Sequence, residues 1–200
     1  MLDFLVLVKW LDGSPILPLI EPYRRKIFWD VLDSVDDTGR MTYNLALLGR
    51  GKKNCKSLDL VLAALFACVA NDPPRGNDIY LIANDEGQAN DDLSLCKKLV
   101  AISPHLLSRL VIRDKMIVRK DNRGTITILP GRDAIGLHGK TYRAALFDEI
   151  HGYRDWALLE ALALDPHRDD SQMILTSYAS VFHKPGVPLL RFAPARQSGR

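Results

Sequence analysis

Residues Tyr43 to Leu58 read YNLALLGRGKKNCKSL, and no other stretch restricts the possible folds so tightly. The apolar run Leu45-Ala46-Leu47-Leu48 has the length and composition of a buried strand. A basic turn follows (Gly49, Arg50, Gly51, Lys52, Lys53, Asn54, Cys55), and Lys56-Ser57 then opens an apolar, helix-like segment. Strand, tight loop and helix beginning on Lys-Ser is the layout of a loop that wraps phosphates. Backbone N–H groups and the helix N-terminus face the anion, and the Lys reaches the β and γ groups. The pattern G-x-x-x-x-G-K-[ST] asks for Gly at positions 50 and 55, where this chain has Arg50 and Cys55. Taken alone, the loop leaves two readings open, phosphate binding or an ordinary basic turn.

With 200 residues the chain suits one domain with a real core. Its 47% hydrophobic and 26% charged residues fit a globular protein. No apolar run approaches the roughly 18 residues of a membrane span. The start, MLDFLVLVKWLDG, lacks a basic segment before its apolar patch, so it reads as a strand and not as a signal peptide. Cys55, Cys68 and Cys96 are odd in number and show no CxxC spacing, which favours reduced thiols in a cytoplasmic setting. The net charge of +3 comes from the last twenty residues, where Lys184, Arg191, Arg196 and Arg200 stand without an acid. The overall charge therefore says little about nucleic-acid binding.

Along the chain, residues 4–11 alternate weakly and predict an early strand. Pro22 begins a helical pattern with Ile27, Val31 and Val35 on one apolar face and Phe28 and Leu32 beside it. The first core strand is 43–48, and the helix after the loop runs from about Lys56 to Ala70. A second buried strand, Asp78–Ala83, precedes a helix capped by Asn84 or Asp85 and reaching about Ile102. Ser103-Pro104 opens a short helical piece. Short strands are predicted at 110–113, 116–119 and 125–129, with Asn122-Arg123-Gly124 as a hairpin turn. Ala144–Phe147 reads as a buried strand, 155–164 as a helix and Met173–Thr176 as a last strand. Strands separated by helices predict a mostly parallel α/β sheet, with a small antiparallel insertion near 110–130. Residues 181–200 read as a basic, Pro/Gly-rich tail.

The partner for the opening loop is AALFDEIH, residues 144–151. Its four apolar residues put Asp148 and Glu149 at the carboxyl edge of a strand, where open parallel sheets bind ligands. In a phosphate-loop enzyme the first acid helps hold Mg²⁺ together with the loop hydroxyl, and the second orients or activates water. An isolated acidic pair more often marks a helix N-terminus. Together with a Lys-Ser loop after an equally apolar strand, the enzymatic reading leads. Met173–Ser177, a third apolar strand ending in hydroxyls, is either a γ-phosphate sensor or a strand giving way to a turn.

These residues carry a family resemblance. GKKNCKS, DEIH and ILTSYAS resemble the large terminase subunit of tailed bacteriophages, over roughly residues 16–190. The resemblance implies a P-loop NTPase fold (RecA/ASCE-like) over 1–180, with 1–40 as an adenine-side segment. It implies ATP and Mg²⁺ as cofactors. Gly51, Lys53, Asn54, Cys55, Lys56 and Ser57 would form the nucleotide loop (Walker A), with Lys56 on the β/γ-phosphates and Ser57 and Asp148 on Mg²⁺. Glu149 would be the catalytic carboxylate (Walker B), and Lys52 would either stabilise transition-state charge or be a solvated loop lysine. Thr176 and Ser177 fall on the motif that couples hydrolysis to movement on DNA. Where the family has Gln after a Pro-aromatic pair, Pro22-Tyr23 is followed by Arg24, which leaves Tyr23 or Arg24 to stack on adenine.

The implied function is an ATPase motor that drives double-stranded viral DNA into the procapsid. Its partners would be the portal protein, the small terminase subunit and further copies in a ring. Its place would be the host cytoplasm at the procapsid portal. The family's nuclease domain has no counterpart in these 200 residues, so the chain is expected to lack nuclease activity and to be truncated, split or a fragment. Two alternatives stand beside this: a helicase-like translocase, because DEIH is similar to helicase motifs, and a degenerate or truncated remnant that binds nucleotide or partner subunits without hydrolysing ATP. His138 and His151 flank the acids without zinc spacing. Arg132, Lys140, Arg143 and the tail are either DNA-phosphate contacts or a solvated face.

Overall fold

The computed structural model describes residues 1–70, 76–83, 85–130, 140–153, 156–164 and 168–178. Seven strands form one sheet: β1 Leu45–Gly49, β2 Asn77–Ala83, β3 Leu110–Ile112, β4 Met116–Arg119, β5 Gly124–Pro130, β6 Ala144–Phe147 and β7 Gln172–Ser177. Their order is β1-β7-β6-β2-β5-β4-β3. The first five in that order are mutually parallel, and β4 and β3 continue the sheet antiparallel from β5. The α/β class and the antiparallel segment agree with the sequence reading. That segment lies at the edge of the same sheet.

Both faces of the sheet are covered, and side-chain alternation along the strands divides the core. Ile79, Leu81, Leu146 and Ile174 pack towards α3 (Lys56–Val69) and α4 (Glu86–Ile102). Tyr80, Ile82, Phe147 and Leu175 pack on the other side with Tyr142, Tyr153 and the short helix Ala157–Ala161. Asp85 caps α4 by accepting from the Gln88 N–H at 2.9 Å. Among the described residues no helix is long and apolar enough to cross a membrane.

Two N-terminal expectations are corrected. Residues 4–11 do not form a strand: Leu2–Leu7 is a helix, α1. Met1, Phe4, Leu5 and Val8 are buried, a helical spacing, and Phe4 meets Phe66 of α3 edge-on at 5.5 Å. The helix begun by Pro22 is α2 (Pro22–Phe28), which widens into a π-turn at Trp29–Asp33. Its buried face is Arg24, Phe28 and Leu32, while Val35 is exposed. Arg24 belongs to that face because an acid on α3 pairs with it, which hydropathy alone does not reveal.

At the start of β5 the sheet leaves no room. A Cβ on Gly124 would stand 2.6 Å from the Asn77 carbonyl oxygen and 2.9 Å from the Asn77 Cβ. Both neighbours belong to a buried residue of β2, so the sheet must shift to admit it. Gly124→Ala is expected to cost about 1–3 kcal/mol of stability. Urea denaturation checks this, and an unchanged midpoint would show that the two strands separate freely there.

Candidate nucleotide site

Three adjacent carboxyl-terminal strand ends build the site: β1 runs into the basic loop, β6 into Asp148-Glu149, and β7 into Tyr178. Hydrogen bonds hold these ends in the sheet. The Arg50 N–H donates to the Ser177 carbonyl at 3.0 Å, and the Asp148 N–H donates to the Ile82 carbonyl of β2 at 2.8 Å. The strand order has therefore brought together residues far apart in the chain.

The loop turns through left-handed backbone at Lys53 (φ 60°) and Cys55 (φ 56°). Cys55, the residue before α3, thus takes the conformation that the motif's Gly would adopt without steric cost. Gly51 is exposed, and a Cβ there would meet only the side-chain Nδ2 of Asn54, at 3.0 Å. Lys56 folds back across the loop, and its ammonium donates to the Gly51 carbonyl at 2.9 Å. A cleft of about 450 Å³ lies over this turn, lined by the loop from Lys52 to Leu58, by Glu149 and by Tyr178.

Below the cleft the oxygen donors form a connected line. The Ser57 hydroxyl donates to Asp148 Oδ2 at 2.8 Å, and the Thr176 hydroxyl donates to Asp148 Oδ1. The same Thr176 oxygen accepts the Glu149 N–H at 3.3 Å. Asp148 is fully buried, whereas Glu149, at φ 53°, turns out of the strand direction to line the cleft. Instead of starting a long helix, Glu149 leads into one 3₁₀ turn, Ile150–Gly152. A hydroxyl and a carboxylate on adjacent elements are hard oxygen donors of the kind Mg²⁺ takes, so these residues fit such an ion.

Other predicted residues lie elsewhere. Tyr23 is half exposed and does not line the cleft. Arg24 does not either, and stacking on adenine is corrected for it: its guanidinium is buried and committed to Asp59 at 2.9 Å and Glu21 at 2.7 Å. Arg143 is also corrected as a surface contact. It is buried, 3.7 Å from Asp170, and donates to Gln172. Lys140 is exposed, its ammonium 5.7 Å from the Tyr80 ring centre. Arg132, His138 and the segment 181–200 lie outside the described residues.

Sequence reasoning missed three contributors. Asp59, on the first turn of α3, joins Arg24 to Arg50. Tyr178 packs its ring against His151, with centres 3.8 Å apart. Burial holds the His151 imidazole below its ordinary pKa, and Lys52 and Lys56 add to this against the pull of Glu149. The third is Asp92 of α4, a buried carboxyl that belongs to no recognisable motif.

Burial pushes the Asp92 pKa up to about 8, with Asp148, Asp91 and Glu149 adding repulsion. Its unfolded value is the ordinary 3.8. The folded state therefore holds a proton that the unfolded chain releases. That contribution to stability is fully present below about pH 4 and is lost as the pH rises through about 8. Asp92→Asn is expected to raise Tm at pH 8, with the gain shrinking towards pH 4. A gain independent of pH in thermal melts would contradict a protonated Asp92.

No family model matches the sequence, and no curated protein matches it. Solved structures do match the fold. The HK97 bacteriophage large terminase superposes with a TM-score of 0.69 at 19% identity, over 88% of this chain and 36% of that one. The large terminase of a thermophilic bacteriophage, in complex with ADP, gives 0.58 at 10% identity, over 79% and 39%. The N-terminal domain of the DNA packaging ATPase from bacteriophage phi29 gives 0.55 at 12% identity, over 88% of each chain. The chain spans only 36% of the HK97 protein's length. These superpositions agree with one another: the chain has the fold of phage large-terminase ATPase domains.

Proposed function

We propose that this chain is an ATP-hydrolysing motor domain of the phage packaging kind, acting on double-stranded DNA. The observation that carries the proposal is the Ser57–Asp148–Thr176 line beneath a lysine-lined cleft, at the carboxyl edge of parallel strands. The fold shared with large terminases, one of them solved with ADP, supports the same reading.

In this reading the backbone of residues 51–57 and the N-terminus of α3 receive the phosphates, and Lys56 exchanges the Gly51 carbonyl for a phosphate oxygen. Ser57 and Asp148 would hold Mg²⁺, which would supply positive charge to offset that of the phosphates. Glu149 reaches the cleft from a buried strand end and orients water for attack. Lys52 is available to offset charge that grows in the transition state. Thr176 touches both Asp148 and the Glu149 backbone, so it reports changes at the phosphates to β7, with Ser177 beside it. The motor unit is 1–180, working in a ring with a portal protein and small subunit at the procapsid in the host cytoplasm.

Cys55 favours a second reading, a chain that binds nucleotide without hydrolysing it, because a side chain occupies the left-handed position next to the phosphates. One assay separates the two. The purified chain is expected to release phosphate from Mg-ATP, and Lys56→Ala to lose nucleotide binding by at least about tenfold, as expected for a charge-assisted contact. ADP binding without phosphate release in the wild type would leave the second reading standing. No binding would defeat both.

A further inference from the structure

Tyr178 follows directly on β7, and its ring touches each of the other two strand ends. The Lys52 ammonium lies 4.7 Å from the ring centre and the Lys56 ammonium 5.6 Å. Both distances are within cation–π range. The ring also packs on His151, two residues past Glu149, at 3.8 Å and 48°. One aromatic side chain thus collects two cations of the loop and the imidazole beside the acidic pair, and it lines the cleft as well.

The two lysines nearest the ring are those with the most to gain from an anion. Lys56 is 6% exposed, with the Gly51 carbonyl and the ring as its partners. A neutral His151 behind the ring suits the arrangement, since a cation there would face two ammonium groups. The contacts of Lys56 with ring and carbonyl must loosen when it turns to a phosphate.

We propose that the Tyr178 ring competes with the nucleotide phosphates for the Lys52 and Lys56 ammonium groups. Tyr178 is on this account a positioning residue. It keeps the loop lysines gathered between turnovers and yields them when phosphate arrives. Because Tyr178 continues directly from Thr176 and Ser177, the release reaches the carboxyl end of β7. The inference rests on the nucleotide-site reading above and adds a reciprocal link between phosphate occupancy and this one ring.

The test uses the full chain and Mg-ADP. In the wild type without nucleotide, the ε-methylene protons of Lys52 and Lys56 are expected upfield by NMR, and saturating Mg-ADP should remove that shift. Tyr178→Leu should abolish the shift and tighten ADP binding by about fivefold, as loss of two weak cation–π contacts implies. Tyr178→Phe and Tyr178→Trp should restore wild-type affinity, a rescue that a hydroxyl-dependent role would not give, and the ADP-sensitive upfield shift is a readout that a merely structural role would not move. An upfield shift that persists with ADP bound overturns the proposal, as does Tyr178→Leu binding ADP equally or more weakly. Phe behaving like Leu does the same. Should Tyr178→Leu fail to fold, the wild-type titration and the Phe and Trp variants still decide. A wild type that binds no ADP overturns the nucleotide site itself and this exchange with it, whereas ADP binding with an unresponsive ring overturns the exchange alone.

Discussion

Glu149→Gln is expected to lower ATP turnover by about 10²–10⁴-fold while leaving nucleotide affinity near that of the wild type. The geometry supports this separation. Glu149 lines the cleft, and its backbone, not its carboxylate, is what the Thr176 hydroxyl holds. Gln keeps the size and the backbone contact but loses the charge that, on the proposed function, draws a proton from water. The left-handed φ of 53° is unaffected by exchanging two side chains of the same shape. Single-turnover phosphate release beside ADP binding reads both effects. Turnover within about tenfold of the wild type would remove Glu149 from its role, since a positioned general base contributes more than that.

Asp59→Ala should have the largest effect on stability. Asp59 is 1% exposed and takes two donors from Arg24 on one oxygen and one from Arg50 on the other. Burial opposes charge on Arg24, but the hydrogen bonds it donates to Asp59 and Glu21 outweigh that and raise the guanidinium above its ordinary pKa. Arg50 has no spare partners: its Nε and Nη1 are buried without hydrogen bonds among the described residues. Truncating the carboxylate leaves the buried Arg24 with Glu21 as its only acid among the described ion pairs and takes away the acid that Arg50 pairs with, at a cost of about 3–5 kcal/mol. Asp59→Asn should cost less, because it still accepts a hydrogen bond. Denaturant unfolding measures both, and a loss below about 1 kcal/mol for Asp59→Ala would place the ion pairs in the range of solvent-exposed ones.

The same network explains why the N-terminal segment is harder to read than the loop. Leu45–Leu48 and Lys56-Ser57 are legible because strand, turn and helix signals are local and adjacent. Arg24 looks like a solvated or ligand-facing side chain until Asp59, thirty-five residues on, comes to meet it. Phe4 and Val8 fit a weak alternation as well as a helical period, and the choice falls to Phe66 across the interface. The acidic pair at 148–149 is legible as a strand end, but its neighbours are not. Its partners Ser57 and Thr176 are 91 and 28 residues away from Asp148.

By itself, the sequence determined the alternation of strands and helices from β1 onwards, a helix start at Asn84 or Asp85, the turn at Asn122–Gly124, and a basic, glycine-bearing loop between a strand and a helix. All of these follow from periodicity and backbone preference within a few residues. Only the tertiary structure decided that β1, β7 and β6 lie side by side, that Arg24 faces Asp59 and not a ligand, and that one tyrosine ring stands against both loop lysines. Those outcomes depend on which strands pair across long stretches of chain, and such pairing is selected by the packing of the whole core.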